Sequence, residues 1–187
     1  MKQEVVMQNV EAQIEALQSQ IAAMEKRIPS NKISMIVFSG DMDKVLAAFV
    51  IATGAVAMGM EVVMFFTFWG TPILRDKTKK AGGKDTMGKM FGAMLPKGTP
   101  EVKLSKMNMG GMGTAMMKSL MKKKNVASLD QMMEMAEEFG VQIFVCEMSM
   151  DLMGFKREEM IDYSGMSYCG VATFLEQAND SKIQLFI

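Results

Sequence analysis

Ile33-Ser-Met-Ile-Val-Phe38 runs into Ser39-Gly40-Asp41, and that passage decides the fold. A short, nearly apolar run rich in β-branched residues predicts a buried strand. The Ser39-Gly40-Asp41 turn follows, and Asp41 or Asp43 is placed to cap the next helix by accepting from its free N–H groups. That helix lies in Val45–Met60, 16 residues without a charge, many of them Ala or Gly. It falls short of the ~20 residues that span a bilayer, so it predicts a buried core helix. After Gly59, Glu61-Val-Val-Met-Phe-Phe66 is a second strand, apolar on both faces.

The same alternation continues toward the C-terminus. Thr67, Phe68, Trp69, Gly70 and Pro72 form a loop, and residues 75–127 are broken repeatedly by Gly and Pro. Helices are expected over Gly113–Lys124 and Ser128–Phe139, with Ser128 as cap, then a strand over Val141-Gln-Ile-Phe-Val-Cys146. A short helix near Ser149 stops at Gly154, a short strand is expected near Met160–Asp162, and Ser167–Ala178 reads as the last long helix. Ile183-Gln-Leu-Phe-Ile187 is the last strand. Such alternation implies an α/β domain with a mostly parallel sheet of about five strands and helices on both faces. In these sheets the ligand crevice lies beyond the carboxyl ends of the strands. Those ends carry Ser39-Gly40-Asp41, Thr67-Phe68-Trp69 and Cys146-Glu147, and a candidate pocket takes in Ser39, Gly40, Asp41, Phe68, Trp69, Glu147, Ser149 and Cys169.

Residues 1–28 read as a separate element. Met7, Ile14, Ile21 and Ile28 recur every seven residues, with Val10, Leu17 and Met24 between them. β-Branched residues at a and Leu or Met at d make a coiled-coil seam, which predicts a homo-oligomer. An amphipathic helix folded back on its own domain has the same pattern. Pro29 and the residues after it end the helix.

Composition excludes several classes. The chain has 187 residues, two cysteines and no histidine. Two cysteines make no disulfide framework, so a reducing, cytoplasmic setting is the default. Without histidine there is no Ser-His-Asp or Cys-His catalysis, and the commonest zinc ligand is missing. Formal net charge is zero, which argues against nucleic acid as a partner and leaves at most peripheral membrane contact. Charge is nonetheless uneven. Residues 75–124 hold 13 Lys/Arg against 3 Asp/Glu, and residues 125–187 hold 3 against 11. The basic segment suits an acidic partner, a lid over the crevice, or simply a solvated face.

Cys146 is the leading candidate for chemistry, because a strand end that meets a helix N-terminus offers N–H donors to a sulfur anion. Glu147 opposes that effect, and an inert buried thiol is the plain alternative. Cys169 reads either as a resolving thiol or as core packing. Met107-Asn-Met109-Gly-Gly-Met112 has a spacing seen in copper(I) sites, yet the 25 methionines are spread throughout the chain. Gly82-Gly83-Lys84 and Gly111-Met-Gly113 lack the full phosphate-loop patterns. No metal and no cofactor is therefore expected.

Several blocks resemble the DsrE/DsrF-like family. They are Ile33–Asp41, Phe65–Leu74 with Phe68-Trp69-Gly70, Leu104-Ser-Lys-Met-Asn-Met-Gly-Gly-Met112, Val145–Gly154 and Cys169-Gly-Val-Ala-Thr-Phe174. The likeness covers residues 32–187 and is greatest to the longer, peroxiredoxin-like-labelled branch, although the thioredoxin-type peroxidatic motif is absent. It implies a three-layer α/β/α fold, oligomers, and a sulfurtransferase-type carrier that holds sulfane sulfur as a persulfide on Cys146. Rhodanese-like and TusA-like sulfur-relay proteins are the partners it implies. The residues themselves leave two other functions open: a non-catalytic assembly subunit, and a dithiol redox protein using Cys146 and Cys169.

Overall fold

The computed structural model describes residues 2–25 and 28–187, with side chains from residue 10 except those of 22, 23 and 25. The chain divides into two compact units, Met1–Ser30 and Asn31–Ile187. The first is helix α1, Lys2–Glu25. Its Val10, Ile14, Leu17, Ile21 and Met24 are all exposed, as is Ile28 beyond it. The side chain of Met7, and residues 26 and 27, lie outside the described residues.

The second unit is a three-layer α/β/α sandwich. Its strands are β1 (Ser30–Val37), β2 (Glu61–Phe66), β3 (Gln142–Cys146), β4 (Met166–Cys169) and β5 (Ser181–Phe186), in the order β4-β3-β2-β1-β5. The β1–β2, β2–β3 and β3–β4 pairs are parallel. Ile187 N–H donates to Ile36 O and Phe38 N–H to Ile187 O, which continues the parallel pattern at the end of β5.

Strand side chains alternate between two unequal faces. Ile33, Met35, Val37, Val62, Met64, Phe66, Ile143 and Val145 belong to the large core. Over it lie α2 (Met42–Ala57) and α5 (Leu129–Glu138), which pack on each other. Buried Val45, Ala48, Phe49, Ala52 and Ala55 form the inward stripe of α2. Val63, Phe65 and Cys146 point the other way, to Phe174 and Ala178 of α7 (Val171–Asn179). There Phe65 stacks on Phe174 with ring centroids 4.9 Å apart.

Three local expectations fail. Asp41 is the N-cap residue of α2, but its side chain does not cap. Asp41 instead binds Ser39 and Lys44, Asp43 binds Ser105, and the Met42 N–H is met by Lys103 O at 2.8 Å. The helix expected from Ser167 starts only at Val171, because Met166–Cys169 pairs with β3 as β4 and Gly170 is the N-cap. No strand forms at Met160–Asp162; an isolated antiparallel bridge joins Arg75 to Met160 instead.

The glycine-rich segment contains a helix that its sequence does not suggest. This is α3, Thr86–Met94, capped by Asp85, which accepts from Gly88 N–H at 2.8 Å. It contacts α6, Glu147–Met153, where Gly88 and Gly154 approach so closely that a Cβ on Gly154 would lie 2.4 Å from Gly88 Cα. The remaining helix, α4, is Met112–Lys123. A buried ion cluster ties this region down. Arg75 meets Glu159 at 3.1 Å, Lys84 pairs with the other Glu159 oxygen, and Arg75 also donates to Gly92 O, Leu95 O and Pro96 O.

Candidate functional site: a pair of cysteines on neighbouring strands

Cys146 ends β3 and is the N-cap residue of α6, so strand end and helix start coincide at one thiol. It is 3% exposed, enclosed by Phe65, Phe174 and Ala178. Its direct partner across the sheet is Cys169, the last residue of β4. Parallel register places both side chains on the same face, about 4.8 Å apart at Cα. Both thiols are free; Cys146 is buried and Cys169 half-buried. Burial pushes the Cys169 thiol up from its ordinary value, and the nearby Cys146 and Glu147 push it in the same direction.

Charge around the pair is arranged by α6 and the turn after it. The Arg157 guanidinium donates to Glu147 Oε1 at 2.5 Å and lies 4.6 Å from the Tyr168 ring centroid. Glu147 therefore does not face the thiols as a bare charge. Burial raises the Tyr168 phenol, with Arg157 and Lys79 acting against it. Arg157 stands ten residues from Glu147, so no local spacing announces the pair.

Ser149, Thr67 and Phe68 form a buried knot. Thr67 and Ser149 hydroxyls lie 2.9 Å apart, and Phe68 N–H donates to Ser149 Oγ at 2.9 Å. Ser149 is fully buried, so it holds the β2 loop to α6 and faces no crevice.

The other strand-end residues line a separate cleft of about 780 Å³. Ser39, Gly40, Asp41 and Trp69 form one wall, and Met94, Leu95, Glu101 and Lys103 of the basic segment form another. Backbone contact sets its floor. A Cβ on Gly70 would meet Val37 O at 2.2 Å, and one on Gly40 would meet Trp69 O at 2.5 Å. Both turns therefore need glycine, and Trp69 is held at the rim, 47% exposed. Cys146 and Cys169 are absent from the lining, so the strand-end residues divide into two sites.

Among the described residues no cluster of three or more Cys, Asp or Glu is arranged to hold a metal. Met107, Met109 and Met112 are each more than half exposed. Among the described residues no helix is long and apolar enough to cross a membrane.

Fold and thiol pair define a cysteine-bearing three-layer α/β protein. The chain belongs to the DsrE/DsrF/DrsH-like family, whose model matches residues 29–186 and so leaves out α1. It is 44% identical over 158 residues to the uncharacterized protein YrkE of Bacillus subtilis (strain 168), a match covering 84% of this chain and 98% of that one. It is 36% identical over 157 residues to the sulfur carrier protein DsrE2 of Allochromatium vinosum, covering 83% and 98%. Among solved structures the ychN protein of E. coli matches with a TM-score of 0.49 and 10% identity, covering 83% and 98%.

Proposed function

We propose that this protein is a cytoplasmic sulfur carrier that holds sulfane sulfur as a persulfide on Cys146. Family membership and the likeness to a protein named as a sulfur carrier support the reading. The observation that carries it is the position of Cys146, a thiol at the junction of β3 and α6, enclosed by apolar side chains. Such surroundings shelter a bound sulfur from competing solutes. Its proposed partners are rhodanese-like donors and TusA-like acceptors, and the apolar seam of α1 makes it a homo-oligomer.

The test is mass spectrometry of the full-length protein after incubation with a sulfur-loaded rhodanese. A one-sulfur gain on the peptide containing Cys146 is expected. A protein that gains no sulfur there is not this kind of carrier. The in-register cysteine pair also supports dithiol–disulfide chemistry. That second reading predicts a Cys146–Cys169 disulfide under mild oxidation, and no transferable sulfur.

A further inference from the structure

Cys146 is enclosed, so a bulky donor has poor access to the residue that stores the sulfur. Cys169 differs in two respects. It is only half-buried, and it lies on β4, the strand at the edge of the sheet. We infer that Cys169 is the port of the carrier: donor sulfur loads on Cys169 and then moves one strand inward to Cys146. The inference rests on the persulfide reading above and adds a second sulfur-bearing residue to it.

The geometry suits a direct hand-over. Register pairs Cys146 with Cys169, and the two belong to one cluster with Phe65 and Phe174. Neighbouring parallel strands are about 4.8 Å apart. A sulfane sulfur extends about 2 Å from the Sγ that bears it. A sulfur on Cys169 therefore lies within attacking reach of Cys146, and no strand has to move.

The chemistry balances without an oxidant. Cys169 thiolate attacks the terminal sulfur of a donor persulfide. The Cys169 Sγ–S bond forms, the donor S–S bond breaks, and the donor leaves as its thiolate. Cys146 thiolate then attacks the same sulfur. Its Sγ–S bond forms, the Cys169 Sγ–S bond breaks, and Cys169 leaves as a thiolate that takes up the proton Cys146 gave up. Attack at the sulfane sulfur conserves its oxidation state, whereas attack at the inner sulfur would close a disulfide and expel sulfide.

The test uses the full-length protein, Cys169→Ser and Cys146→Ser, each given glutathione persulfide and followed by peptide mass spectrometry over time. Wild type should accumulate one sulfur on Cys146. Cys169→Ser should reach the same product about ten-fold more slowly, because the buried thiolate must then meet the donor directly. Cys146→Ser should collect sulfur on Cys169 at the wild-type rate and retain it there, a result that a packing role for Cys169 does not produce. Three results overturn the port: equal loading rates for wild type and Cys169→Ser, no sulfur on Cys169 in Cys146→Ser, or conversion of the pair to a disulfide with release of sulfide. A wild type that takes up no sulfur at either cysteine defeats the carrier reading itself, and the port falls with it.

Discussion

The two faces of the sheet are built to different standards. One carries two long helices over a continuous apolar core, with Met35, Val37, Met64, Phe66, Ile143 and Val145 fully enclosed. On the other, the nine-residue helix α7 lies over Val63, Phe65 and Cys146, and the face shades into half-buried Phe144 and Cys169. The thick face holds the fold together. The thin face leaves a thiol pair near solvent while keeping one member dry. The main core and the thiol pair are thus separated by the two-residue period of the strands.

That division can be broken from the thick side first. Phe66→Ala should cost about 3–5 kcal/mol in chemical denaturation, since it removes a fully buried aromatic from the α2/α5 core. A similar loss, about 3–5 kcal/mol, is expected for Glu159→Gln, which leaves Arg75 and Lys84 as buried cations without their anion. The pH dependence follows from the same residue. Burial opposes ionisation of Glu159, but Lys84, the Lys156 N–H and Arg75 outweigh it and hold the carboxyl below its ordinary value. Its folded value is depressed, so its contribution is present above the unfolded value of about 4.5 and is lost as pH falls through the folded one. Acid titration should loosen the wild type below about pH 4.5. Glu159→Gln should show a flatter profile across that range.

The thin side should respond more in reactivity than in stability. Phe174→Ala removes the ring stacked on Phe65 and should cost about 3 kcal/mol, at the low end for a buried aromatic, because α7 is a short helix and can settle. It should also expose Cys146, which alkylation kinetics would register as faster labelling of that thiol. No change in labelling would mean that the strands, not α7, shelter Cys146. The smallest effect is assigned to Arg157→Gln. Freed of its partner, Glu147 would act more strongly on Cys169, push that thiol further up and slow its alkylation at neutral pH, with stability changed by only ~0.5 kcal/mol. Removal of residues 1–29 should lower the mass seen by light scattering. Equal masses would give α1 another task.

Much of the thick face was legible, and less of the thin one. β1, β2 and β3 show as apolar runs because strands covered on both sides have few polar positions. The Ser128 cap was equally plain, and its capping box with Gln131 forms as that spacing allows. β4 was hidden because four residues are too few to show a period, and the neighbouring β3 decides their conformation. α3 was hidden because Gly88 and Gly92 argue against a helix. A Cβ on Gly88 would crowd its own cap, Asp85 Oδ1, at 2.8 Å and Gly154 Cα at 3.1 Å, and the second of these contacts has no local sign. The cysteine register was hidden for the same reason. Twenty-three positions separate Cys146 from Cys169, and only the order of strands in the sheet makes them neighbours.

The brevity of β4 has a consequence for assembly. A long sheet edge offers a row of backbone donors and acceptors to any extended segment, and proteins blunt such edges by keeping them short. β4 spans only Met166–Cys169, and Arg157 lies across its Tyr168 ring. Strand addition from another chain gains little on so short a template. This flank of the sheet is therefore poorly suited to the ladder growth by which exposed edges aggregate.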